Sequence, residues 1–257
     1  KARKLKKKKT ILITGASDGI GAALAEEYAS NGIFLAFSGR DLGRLNTVAE
    51  RCRIKGALVE TKILDVMDIA GMSKWISEVN SRFYLDLVIA NAGVSGGFDG
   101  AGKGPAATYK IFQTNINGVI NTVLPALEVM EQQGGGQIAL MSSLAAFRGN
   151  PSTPAYSATK AAVRVWGEGL RLRCVNNGIK VSVICPGFVQ SRMTRNNPFP
   201  MPLIISSRKA AKIILKGLER NNARIAFPRR MYFLAWLLGV LPPSLSDWLI
   251  PKIAQKE

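Results

Sequence analysis

Thr14-Gly15-Ala16-Ser17-Asp18-Gly19-Ile20-Gly21 follows the short apolar run Ile11-Leu12-Ile13 and opens a segment with apolar residues at Ile20, Leu24 and Tyr28. That order, strand then glycine-rich turn then helix, is the context in which a chain binds phosphate. Glycines let the backbone come close to a pyrophosphate, and the free N–H groups at the helix start favour an anion. Tight turns also use glycine for purely conformational reasons. The position directly after the first strand favours the nucleotide reading.

Outward from this turn, short apolar runs alternate with helical patterns as far as about Ala226. Strands are expected at 11–14, 33–38, 57–64, 85–90, 137–142 and 181–185, with a short seventh at 225–227. Helices are expected at 19–30, 42–54, 69–80, 106–132, 155–176 and 207–220. Continuous apolar strands between helices predict an α/β fold, a doubly wound parallel sheet of about seven strands covered on both faces. Nothing divides residues 10–228, so one domain is expected, flanked by a basic tail at 1–9 and an apolar, basic helical extension at 229–257. The Pro-, Asn- and Arg-rich segment 192–205 reads as a loop or lid.

The chain has 257 residues and no histidine, which excludes Ser-His-Asp and Cys-His chemistry and histidine metal sites. Proton transfer falls to Tyr, Lys, Asp or Glu. Cys52, Cys174 and Cys185 have no metal or pairing spacing, so no metal is expected and a reducing, cytoplasmic setting is. The net charge is +18, unevenly spread: +7 in residues 1–9, +2 in 10–191 and +9 in 192–257. A nucleic-acid protein spreads basic residues over a face with interleaved aromatics, and no nucleic-acid partner is expected. No secretory signal is expected, because the apolar run after Lys9 stops at Thr14-Gly15.

Tyr156 and Lys160 are four residues apart on an expected helix that Pro154 opens, so they share one face. Ser142-Ser143 closes the fifth strand, thirteen residues before Tyr156. A tyrosine ordinarily titrates near ~10, and a neighbouring ammonium lowers that value.

The TGxxxGxG spacing of the turn and the run Tyr156-Ser157-Ala158-Thr159-Lys160 resemble the short-chain dehydrogenase/reductase family, in its branch of about 250 residues. The resemblance spans about residues 10–226 and implies a Rossmann-type fold. It also implies an oxidoreductase that reduces a ketone or aldehyde, or oxidises the corresponding alcohol. Asn115, Ser143, Tyr156 and Lys160 would be the catalytic residues. Tyr156 exchanges the proton, Ser143 holds the substrate oxygen, Lys160 supports the phenol and the nicotinamide ribose, and Asn115 holds a water that resupplies the proton.

For the cofactor the resemblance implies Gly15, Ser17, Asp18, Gly19, Ile20 and Gly21 in the turn. It adds Asp65 and Val66 near the adenine, Asn91-Ala92-Gly93 after the fourth strand, and Pro186, Gly187, Val189 and Ser191 beside the nicotinamide. Tyr156 and Lys160 also touch it. The second strand ends Phe37-Ser38-Gly39-Arg40, with no acid to hold an adenosine ribose diol. Arg40 suits a 2′-phosphate, so NADP(H) is expected over NAD(H); the other reading leaves Arg40 solvated.

The substrate pocket is expected from residues 94–104, 144–155 and 188–205, with Arg148, Arg192 and Arg195 either receiving an anionic group or solvated. By analogy with the family, a homodimer or homotetramer is expected. Two readings of the apolar run 231–241 and the following 245–253 stand side by side. One packs a helical hairpin over the cleft or a partner subunit; the other lays it in an anionic membrane interface, suited to a lipophilic substrate. A cofactor-binding regulator or membrane-surface protein of the same fold, without turnover, is the alternative to an enzyme.

Overall fold

The computed structural model describes residues 9–95, 104–195 and 201–247. The chain alternates β1 (Lys9–Thr14), α1 (Gly19–Tyr28), β2 (Ile33–Gly39), α2 (Leu42–Ile54), β3 (Leu58–Ile63), α3 (Ile69–Arg82) and β4 (Leu87–Ala90). It continues through α4 (Pro105–Phe112), α5 (Gly118–Gln132), β5 (Gly136–Met141), α6 (Pro154–Arg173) and β6 (Ile179–Pro186). The remaining elements are α7 (Arg192–Arg195), α8 (Ser207–Glu219), β7 (Arg224–Phe227) and α9 (Arg229–Val240). The strands form a single sheet in the order β3-β2-β1-β4-β5-β6-β7, and every pair is parallel.

Strand side chains alternate between faces, and the core divides accordingly. Ile11 and Ile13 of β1 pack with Leu24, Leu45 and Ile214 beneath α1, α2 and α8. Leu12, between them, packs with Trp75, Met130 and Leu170 beneath α3, α5 and α6. Each such fully buried side chain contributes roughly 1.5–3 kcal/mol relative to exposure. A small third cluster joins Leu144, Val183 and Cys185 to Phe147, Met231, Tyr232 and Ala235, which seats α9 over the end of β6.

Three expectations are corrected. The single helix over 106–132 is two helices joined by a π-helical turn at Gln113–Asn117. Apolar periodicity continues through that turn, so sequence pattern alone did not reveal it. The third strand is an edge strand with exposed Leu58 and Ile63, not a strand buried on both faces. Lys9 belongs to β1 rather than to a tail. In the segment read as a lid, α7 occupies its start, and a parallel bridge between Val189 and Ile205 closes its base. Residues 1–8, most of 94–104, 196–200 and the second tail stretch beyond 247 lie outside the described residues.

Candidate active site

A crevice of about 840 Å³ runs over the carboxyl ends of the strands. It crosses the point between β1 and β4 where the strand order turns outward both ways, the usual ligand position in doubly wound sheets.

At one end lies the glycine turn. Gly15 has φ +67°, and a Cβ there would meet Ala92 Cα at 2.8 Å. Asn91 holds the turn in place, its amide donating to the carbonyls of Thr14 and Gly15 at 3.0 Å each. The Thr14 hydroxyl accepts from the backbone N–H of Asn91 and Ala92 at 3.1 and 3.2 Å. Gly15, Ser17, Asp18, Gly19, Ile20, Asn91, Ala92 and Gly93 all line the crevice. Gly21 is the exception. It lies behind the wall, where a Cβ would meet Gly15 O at 2.4 Å, so its small size serves the packing of α1 against the turn. The Asp18 carboxylate accepts from the Arg192 N–H at 3.0 Å and ties the turn to α7 across the crevice.

The end of β2 supplies Arg40, and the loop after β3 supplies Asp65 and Val66; all three line the crevice. Arg40 and Asp65 form an ion pair at 3.7 Å with 58% and 45% of their side chains exposed, so the pair is weak. Sequence reading missed Arg44. This arginine lies in the first turn of α2, pairs with Asp41 at 2.9 Å and lines the crevice, with its buried Nε unpartnered. The signal was the spacing Arg40-x-x-x-Arg44 across a helix start. Two guanidiniums and an orphaned buried donor at the adenosine end of a glycine cradle fit a phosphate-bearing nucleotide.

At the other end the elements β5, α6 and β6 converge. Tyr156 and Lys160 lie one turn apart on α6, and both line the crevice. Tyr156 shares a side-chain hydrogen bond with Ser143, which follows β5. Ser143 Oγ also accepts from Ala145 N–H at 3.1 Å and donates to Pro186 O at 3.4 Å. The buried Lys160 ammonium donates to Met141 O at 2.9 Å and stands 5.6 Å from the centre of the Tyr156 ring. Desolvation pushes the Tyr156 phenol up, opposed by the Ser143 bond. The net direction is opposite to that expected from Tyr–Lys spacing, because burial outweighs the Ser143 bond. Burial also brings Lys160 down to about 8, opposed by the neighbouring Cys185.

Asn115 is fully buried in the π turn, beneath the wall rather than in it. Its carboxamide accepts from Val94 N–H at 2.8 Å and donates to Val94 O and Thr159 Oγ1 at 2.9 and 3.1 Å. Thr159 donates in turn to Tyr156 O at 2.8 Å, so Asn115 braces α6 where the Tyr and Lys leave it.

Pro186, Gly187, Val189 and Ser191 complete this end of the crevice. Ser191 N–H donates to the hydroxyl of Thr194, which itself donates to Val189 O at 2.8 Å. Beyond them the wall is largely apolar: Leu144, Ala145, Phe188, Met193 and Pro202, roofed by Met231, Ala235 and Leu238 of α9. Of the three arginines considered for an anionic substrate, Arg148 and Arg192 line the crevice, Arg148 also pairing with Asp247, and Arg195 is not part of its wall.

The family model for short chain dehydrogenase matches residues 9–199. An uncharacterized oxidoreductase of Myxococcus xanthus is 36% identical over 241 residues, 93% of this chain and 95% of that one. An 11-beta-hydroxysteroid dehydrogenase of Arabidopsis thaliana is 30% identical over 262 residues, 93% of this chain and 74% of that one. A solved short-chain dehydrogenase from Sphingobium yanoikuyae, in complex with NADPH, aligns with a TM-score of 0.79 and 26% identity, covering 97% of this chain and 98% of that one. Among the described residues no group of acidic or cysteine side chains is placed to hold a metal, and no helix is long and apolar enough to cross a membrane.

Proposed function

Because the chain belongs to the short chain dehydrogenase family and is an NAD(P)-dependent oxidoreductase, we propose that it works with NADP(H), reducing an apolar ketone or aldehyde or oxidising the matching alcohol. The observation that carries the proposal is the placement of Ser143, Tyr156 and Lys160 in the same crevice as the glycine turn. The bound cofactor would supply the hydride.

The residues of the chain do the rest. Desolvation keeps Tyr156 protonated at neutral pH, so it is poised as the acid of a reduction. Its hydroxyl and that of Ser143, both lining the crevice, hold a carbonyl oxygen and stabilise charge as it develops there. Lys160 orients the cofactor ribose and supports the phenolate after proton transfer. Asn115 acts on these groups through α6, by fixing Thr159 and the Val94 backbone. Arg40 and Arg44 hold a 2′-phosphate. The cofactor preference rests on these two guanidiniums and on the absence of an acid at the end of β2. The apolar far wall favours a lipophilic substrate.

Tyr156→Phe tests the reading. Turnover of a reactive ketone with NADPH should fall by about 10²–10⁴-fold while NADPH affinity stays within about twofold. A variant that turns over normally would remove Tyr156 from the chemistry.

A further inference from the structure

Helix α9 has two working faces. Met231, Ala235 and Leu238 point into the crevice, and the Tyr232 ring meets Phe147 edge-on with centroids 5.4 Å apart. Gly239 sets the helix close against the turn after β5, since a Cβ there would meet Phe147 O at 2.3 Å. The opposite face carries Phe233, Trp236, Leu237 and Val240, exposed by 62, 42, 36 and 59%. Their spacing of three, four and seven places them on one stripe. Leu234 on the same helix and Leu245 beyond it are also exposed.

The charge around this stripe has one sign. α9 contains no acid and starts with Arg229-Arg230, both exposed. Residues 192–257 carry 12 Lys/Arg against three acids. Asp247, the acid nearest in sequence, is paired with Arg148. Exposed Met193, and Arg192 of the crevice wall, belong to the same basic segment.

We propose that the outer face of α9 docks the protein on an anionic phospholipid bilayer. Phe233, Trp236, Leu237 and Val240 seat at the boundary of headgroups and acyl chains, and Arg229 and Arg230 lie on lipid phosphates. Twelve residues of helix are about 18 Å long, too short to span a bilayer and suited to lying in its plane. Aromatic side chains beside arginines are the composition that interface favours. A second copy of the chain is the poorer occupant. Pairing this face with itself would oppose two segments of net +9, whereas an anionic surface complements them. The inner face of the same helix roofs the crevice, so an apolar carbonyl compound dissolved in the bilayer enters without crossing water.

The inference stands on the outer face of α9 and not on the cofactor assignment, so either can fail alone. The test uses the full chain with vesicles of phosphatidylcholine, with and without a minority of phosphatidylglycerol. Binding is read by co-sedimentation and by quenching of tryptophan fluorescence with brominated lipid. The protein should sediment with the anionic vesicles and be quenched. Combined Phe233→Ser, Trp236→Ser and Leu237→Ser should weaken partitioning by about tenfold or more, with a cooperative thermal melt and turnover of a water-soluble ketone retained. Arg229→Glu with Arg230→Glu, at two exposed positions, provides an independent variant and should also weaken binding.

Failure of the unaltered protein to bind anionic vesicles overturns the proposal. So does undiminished co-sedimentation of both variants with anionic vesicles, which would assign attachment to a part of the chain other than α9. A dimer in light scattering that the triple substitution dissociates would instead make a second copy the occupant.

Discussion

Lys160 carries its charge in a place that disfavours it. It is buried, its ammonium donates to a backbone carbonyl, and its pKa is lowered to about 8. For a lysine so lowered, the ammonium persists below that value and is lost as pH rises through it. The kcat/KM for the cofactor reports ionisations of the free enzyme, so it should decline above about pH 8, approaching tenfold per pH unit. A profile flat to pH 10 would show that the Lys160 charge is not used. Arg40 and Arg44 act at the other end. Replacing both by Ala should raise the KM for NADPH by about tenfold or more and leave that for NADH nearly unchanged, which steady-state kinetics with each cofactor would show. The residues at this scale differ in how far sequence revealed them. Tyr156, Lys160 and Ser143 were legible because helical spacing and a strand end put them together. Arg44 was not, since an arginine three residues after Asp41 is already explained by the helix cap and ion pair it makes. The bond from Lys160 to Met141 O was illegible for another reason: a backbone acceptor leaves no trace in residue types.

Among the elements, α9 comes close to its neighbour at Gly239. Gly239→Ala would press a methyl against Phe147 O, tilting the helix off the turn after β5. The melting temperature should fall by about 2–4 °C, reflecting overpacking of roughly 1 kcal/mol in a chain of this size. The KM for an apolar ketone should rise severalfold, and cofactor affinity should not change, because the glycine turn lies at the other end of the crevice. Unchanged kinetics would mean that α9 does not roof the substrate. The seven strands were readable to within two residues or so, because most are short apolar runs closed by a turn residue. The π turn at Gln113–Asn117 was not. Its apolar spacing continues that of the flanking helices, and the wider turn is set by tertiary bonds from Asn115 to Val94 and Thr159 that local sequence does not encode.

For the whole molecule, charge is the term that conditions alter most readily. A net +18 repels itself, and salt shortens the reach of that repulsion to about 10 Å at 0.1 M. The melting temperature should therefore rise by a few degrees between low salt and about 0.3 M sodium chloride in a calorimetric scan. A fall would show that the surface ion pairs outweigh the repulsion. The sheet order was within reach of sequence reading, since parallel crossovers of one hand allow few arrangements. Which loops face each other across the crevice was not. The bond from Asp18 to Arg192 N–H joins residues 174 apart. The crevice itself crosses the line between β1 and β4, so its walls come from two halves of the sheet, joined along that strand pair, through the helices behind it and by the Asp18–Arg192 bond. A dinucleotide laid along it acts as a clasp: whatever pulls the halves apart must first release the ligand, and the loaded enzyme should resist unfolding as one body where the empty one could open at its seam.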